Sequence, residues 1–268
     1  MIKTFCFEKY LDCLIKIIPL NLAALVLLTI YRLFFFLYFA RFQESALSFS
    51  DIFGAFWLGF RYDLSILAFI NMLPMLIWTF LLIFRSFSLF KFSAVLIKFY
   101  YFLAFMTLAV IISVDFGFYS VFNEHINILI FSILGDNLSL TSASVSKEKA
   151  FVIAVIILIV LAITLYKLIA WTIRQTLNKH CLINTMFWNG FAKTIIVLAS
   201  WAVLAFLAQG SFSLSKPFYS EHLREDSNGF SNKLSVGAAH SFARTVAFYI
   251  ETSRENQEED QEEIPEEI

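Results

Sequence analysis

Arg32, Arg61, Asp63, Asp115, Glu124 and His125 are the side chains whose types and positions could do chemistry, because each stands inside or at the edge of an apolar stretch. A charge near the centre of a membrane-spanning helix costs about 2.5 to 3.5 kcal/mol on insertion scales, so such groups turn toward a partner in the bundle interior. Two chemistries fit them. Opposite charges can lock helices together as an ion-pair layer, with Arg32 on Asp63 or Asp115. Alternatively, Arg32 or Arg61 can hold the phosphate of an anionic lipid headgroup through charge-assisted hydrogen bonds. Glu124 beside His125 suits either the capping of a lipid-embedded helix or a headgroup contact.

Other chemistry is sparse. The sequence has no phosphate-cradling Gly-x-x-x-x-Gly-Lys loop, His-Glu-x-x-His zinc helix, Gly-x-Ser-x-Gly elbow or Cys-x-x-Cys pair. His125, His180, His222 and His240 are too scattered to assemble a hydrolytic metal site. No catalytic or metal-ligating residue is assigned, and no cofactor is expected in this chain. Membrane lipids are the expected partners, and nucleic acid is not one.

The elements that carry these residues are membrane helices. Hydrophobic residues make up 59% of the chain and charged residues 15%, against about 25% charged in a soluble domain. Stretches long enough to cross the hydrocarbon are Ile17–Ala40, Asp63–Phe84, Ala94–Asp115, Ala150–Ala170 and Phe187–Ala208, the last interrupted by Lys193. The first exceeds a secretory apolar region and lacks a small-residue cleavage site, so it stays as an anchor. Basic residues sort the connections: Lys3, Lys9 and Lys16; Arg85, Lys91 and Lys98; Lys167, Arg174, Lys179 and Lys193 fall on one side. Lys and Arg are retained in the cytoplasm, which puts the N-terminus inside and the C-terminal segment outside. Cys6, Cys13 and Cys181 then all lie on the reducing side, and no disulfide is expected.

Shorter amphipathic stretches lie between the spans. Ser50-Asp51 is a plausible cap for an interfacial helix through Ile52, Phe53, Phe56, Trp57 and Phe60, and Phe116–Leu134 reads as a second interfacial or re-entrant helix. Of 20 basic and 21 acidic residues, one base and nine acids fall in residues 251–268, leaving 19 bases against 12 acids before them. Such a tail reads as a solvated, disordered segment. The expected organisation is an all-α membrane protein with five transmembrane helices over residues 1–210, a juxtamembrane linker with an amphipathic helix over 211–250, and an acidic tail over 251–268. The five unequal spans show no internal repeat of the transporter kind.

Gly59-Phe-Arg-Tyr-Asp-Leu-Ser65 resembles the Gly-x-Arg-Phe-Asp-Leu-Ser signature of bacterial membrane enzymes of the lipoteichoic acid synthase and phosphoglycerol transferase type, in the sulfatase and alkaline phosphatase superfamily. Tyr62 departs from the usual Phe. Asp115 to Asn127 is similar to the segment that follows their third span. Gly210-Ser211-Phe212 with Ser231-Asn232 and the helix to Tyr249 resembles their juxtamembrane linker. The resemblance implies a five-span anchor in the bacterial cytoplasmic membrane, positioning a lipid donor for a phosphoglycerol or phosphoethanolamine transferase. In that family an extracytoplasmic domain carries a metal-bound Thr or Ser, with Mn, Mg or Zn as the divalent ion. Nothing in this chain matches that domain, so the expectation is a truncated module that is inactive alone, with a separately encoded catalytic domain as a possible partner. The alternative is a non-enzymatic membrane scaffold or transporter subunit.

Overall fold

The computed structural model describes residues 6–42, 48–84, 87–131, 163–175, 189–209 and 229–262, and no strand occurs among them. The elements are α1 (Phe7–Phe39), continued by a 3-10 turn over Ala40–Phe42, α2 (Phe49–Phe84), α3 (Phe87–Phe122), α4 (163–175), α5 (Gly190–Gln209), α6 (Gly229–Val236) and α7 (Ala238–Glu262). Among the described residues, four helices are long and apolar enough to cross a membrane: Phe7–Phe42, Phe49–Phe84, Ser88–Phe122 and Gly190–Gln209. Of the expected fourth span, Ala150–Ala170, residues 150–162 lie outside the described residues, and 163–175 are helical.

Length decides how these helices sit. The 20 residues of α5 extend about 30 Å, the thickness of the hydrocarbon. The 36 residues of α2 and of α3 extend about 54 Å, so they must project well beyond it. The ends of α1, α3 and α5 and the beginning of α2 gather at what we term the upper end. The beginnings of α1, α3 and α5 gather at the lower end, where the Lys193 ammonium lies over the Phe7 ring. Lys193 thus belongs to the first turn of α5 rather than to the middle of a span.

Two expected interfacial helices are instead extensions of spans. Residues 49–60 are the first turns of α2, unbroken into the span. Of the expected Phe116–Leu134 helix, residues 116–122 are the last turns of α3, residues 123–131 follow outside that helix, and 132–134 lie outside the described residues. Each extension is apolar enough to keep packing against its neighbours, so the helix has no reason to break at the membrane surface. The cap of α2 is Ser48 rather than Ser50: its Oγ accepts the Asp51 amide at 3.1 Å, the N-cap bond, and donates to the Asp51 carboxylate at 2.9 Å. The expected juxtamembrane helix is a pair, α6 and α7, separated at Gly237. Helix α7 runs through Glu262, so residues 251–262 are helical where a disordered tail is expected; Glu, Gln and Arg are good helix formers.

The bundle core runs along α1, α2, α3 and α4 through Leu20, Trp78, Ile97, Tyr101 and Ile169. An amide seam crosses it. Asn71 Nδ2 donates to Asn21 Oδ1 at 2.7 Å, and the Tyr101 hydroxyl donates to Asn71 Oδ1 at 2.7 Å, joining α1, α2 and α3 where lipid offers no competing partner. A separate aromatic cluster at the upper end receives α6: Phe230 and Leu234 pack among Phe35, Phe39, Ala55 and Tyr119.

Candidate functional site

Arg32 lies near the upper end of α1, with only 5% of its surface exposed. Its Nη2 donates to both oxygens of Asp63 at 2.8 Å and to the Gly59 carbonyl at 3.1 Å. Its Nη1 donates to the carbonyls of Leu234 and Ser235, each at 2.9 Å. One guanidinium therefore joins α1, α2 and the last turn of α6. A helix C-terminus presents unpaired carbonyls and a negative dipole end, and a cation there is favourable.

The local sequence explains how that contact is possible. Gly59 and Asp63 are four residues apart, so both face Arg32 on one side of α2. A Cβ on Gly59 would overlap the Arg32 guanidinium, which makes glycine the residue that admits the charge. Gly237, with φ of 68°, ends α6 in the left-handed conformation typical of a helix C-terminus. Ser65 Oγ donates to the Ala208 carbonyl at 2.6 Å, placing Asp63 level with the end of α5. The ion pair thus lies level with the end of a helix about as long as the hydrocarbon is thick.

A second constellation lies beside the first. Asp115 is fully buried on α3. Asn123, with φ of 54°, turns the chain back after α3, as Asn can do at modest cost. The returning segment then meets Asp115: Oδ1 accepts the Ile126 amide at 2.9 Å, and Oδ2 lies 2.7 Å from His125 Nδ1. His125 Nε2 is 2.8 Å from the Lys233 carbonyl, and the Tyr31 hydroxyl donates to Asp115 Oδ2 at 3.4 Å. A carbonyl oxygen only accepts, and so does a carboxylate, so both contacts of His125 are satisfied together when both ring nitrogens carry hydrogen. Lys233 Nζ in turn donates to the Asn123 carbonyl at 2.8 Å, so α6 is held to the end of α3 twice.

Helix α7 completes the unit. Thr245 Oγ1 donates to the Ile126 carbonyl at 3.0 Å, and Phe131 stacks on Tyr249 with ring centres 4.4 Å apart. His240 stacks on Tyr62 at 4.5 Å. Burial, with a smaller contribution from the Arg244 charge, pushes the His240 imidazole down to about 4, so this ring is neutral near pH 7. Between the two constellations a cavity of about 20 Å³ is lined by Arg32, Asp63, His125 and His240, room for about one water molecule.

Of the residues singled out by sequence, Arg32 and Asp63 meet, and Asp115 meets His125 rather than Arg32. Arg61 is half-buried and lies about 200° around α2 from Asp63, outside these contacts. Glu124 is exposed and accepts from Asn127 Nδ2 at 3.1 Å. Both terminal nitrogens of Arg32 are engaged by protein acceptors, which leaves the ion-pair reading as the one its geometry fits. No known protein family, curated protein or solved structure matches the chain. The site is therefore read from its own geometry.

Sequence reasoning missed Lys233, Gly237 and His240, and the carbonyls of Leu234 and Ser235, which no side-chain pattern advertises. It also missed a buried charge cluster at the lower end, where Asp12 receives Lys9 at 2.9 Å and Lys16 at 2.8 Å while Lys16 also donates to the Gln175 carbonyl at 2.8 Å. The i, i+3 and i, i+7 spacing of Lys9, Asp12 and Lys16 was a usable signal there. Among the described residues, no three His, Cys, Asp or Glu side chains converge as a metal site.

Proposed function

We propose that the chain is the membrane module of a sulfatase-like phosphoglycerol or phosphoethanolamine transferase in a bacterial cytoplasmic membrane, anchoring the extracytoplasmic juxtamembrane helices and positioning a lipid donor beside them. One observation carries this reading. Gly59 and Asp63, two residues of the signature that resembles those enzymes, converge on Arg32, and Arg32 holds the end of α6. The signature thus has a mechanical role suited to such an enzyme: it fixes the direction in which the chain leaves the membrane. Asp115, in the second resembling segment, acts on the same unit through His125. Rigid attachment matters because chemistry at a lipid headgroup requires the acting groups at a defined height above the bilayer.

The reading requires the upper end to be extracytoplasmic. A reporter active only outside the cytoplasm, fused after Tyr249, should be active, whereas the same reporter at Lys91 should be silent. The reverse pattern would remove the orientation and the family reading with it.

A further inference from the structure

Beside the ion-pair layer, residues 124–128, α6 and α7 line an open cavity of about 780 Å³, within the range of small-ligand sites. His125 and Val236 line both this cavity and the small one between Arg32 and His240, so the two are neighbours. Asp63, which lines the small cavity, is level with the end of α5, so the large cavity lies near that level.

The lining has a distinctive charge arrangement. Two cations, Arg244 and Lys233, face it, and so do two carboxylates, Glu124 and Glu251. Arg244 is exposed and has no carboxylate within ion-pair distance among the described residues. Lys233 Nζ gives one of its three donors to Asn123, leaving the others for a ligand. A purely anionic ligand would satisfy the cations but oppose the carboxylates. A zwitterion satisfies both.

The surroundings indicate a lipid rather than a soluble ligand. Ile128 and Phe248 line the cavity and are 42% and 56% exposed, and Tyr249 and Ile250 beside them are 46% and 47% exposed. Aromatic and aliphatic side chains exposed at this height suit the boundary between headgroups and acyl chains.

We propose that this cavity binds the headgroup of an amine-bearing phospholipid, its phosphate on Arg244 and Lys233 and its ammonium toward Glu124 and Glu251, with the acyl chains leaving past Ile128 and Phe248. The site depends on the membrane embedding of the helices and not on the transferase reading, so the reporter fusions above and the test below fail independently.

The test uses the purified full chain in detergent, titrated with phosphatidylethanolamine, phosphatidylglycerol or phosphatidylcholine of matched chains, with binding followed as thermal stabilisation. Phosphatidylethanolamine should bind most tightly, because choline lacks the N–H donors that the carboxylates accept and glycerol lacks the charge. Arg244→Gln should weaken that binding roughly tenfold, the loss of one charge-assisted hydrogen bond. Glu251→Gln should narrow the preference over phosphatidylglycerol. Arg244 is exposed and forms no ion pair among the described residues, so its variant should fold. Equal binding of the three lipids, a preference for phosphatidylglycerol, or unchanged binding by Arg244→Gln would overturn the proposal. Soluble phosphoethanolamine binding as tightly as the lipid would overturn the lipid assignment.

Discussion

At the scale of single residues, Arg32 and Gly59 behave as one unit, and a mutant cycle makes this measurable. Gly59→Ala places a methyl group where the guanidinium lies, and the guanidinium cannot swing away without breaking its hydrogen bonds to α2 and α6. Overpacking of this kind costs about 1 to 3 kcal/mol. In an Arg32→Ala background the same change should become neutral or stabilising, because alanine is preferred over glycine within a helix by up to about 1 kcal/mol. Thermal unfolding in detergent checks the sign, and additive effects would refute the close approach. Removing Asp63 alone strands a buried charge at a cost of about 3 to 5 kcal/mol. Arg32→Leu with Asp63→Leu should recover only part of that loss, since the α6 carbonyls then lack their donor. His240 gives a pH test. Its folded value, about 4, lies below the ordinary imidazole value of 6.5, so the unfolded chain binds the extra proton first and stability falls as pH drops from about 6.5 toward 4. His240→Asn should flatten that fall relative to the wild type; an identical acid profile would show that this ring does not contribute.

At the scale of elements, α6 has only eight residues, too few to be stable as an isolated helix. Its order comes from Phe230 and Leu234 in the aromatic cluster and from Arg32 at its end. Gly237→Ala forces a side chain into the left-handed region and should cost about 1 to 2 kcal/mol, read as a lower unfolding temperature; no loss would mean the turn relaxes freely. This element shows how far the sequence reaches. Apolar runs located four candidate spans among the described residues, because a bilayer demands about 20 such residues whatever they pack against. They did not locate the breaks: residues 49–60 and 116–122 carry interfacial composition but continue the helices they adjoin, a tertiary choice that local pattern cannot see. Arg32 and Asp63 were legible because charge in an apolar segment must find a partner. The choice of Asp63 over Asp115 was not, since it depends on Gly59 opening the face of α2 and on His125 returning to occupy Asp115. Backbone carbonyls as acceptors leave no trace in residue type.

At the scale of the whole molecule, the upper end is held by polar staples and the bundle below it by its own core. The amide seam of Asn21, Asn71 and Tyr101 makes no use of α6 or α7, and the core around Leu20 and Ile97 meets them only through Ala239 at the start of α7. Arg32, by contrast, joins the two parts through the carbonyls of Leu234 and Ser235. Removing it should therefore release the juxtamembrane helices without melting the bundle, a local opening of the kind that hydrogen exchange resolves. In Arg32→Ala, amides of α6 and the first turns of α7 should lose protection toward that of open chain, while those of α2 around Asn71 and of α3 around Tyr101 keep wild-type protection. Loss of protection throughout the bundle would mean that Arg32 supports global stability and that the upper end is not a separable unit. Unchanged protection of α6 would mean that Phe230 and Leu234 hold it alone, leaving the hydrogen bonds of Arg32 to serve α1 and α2 only.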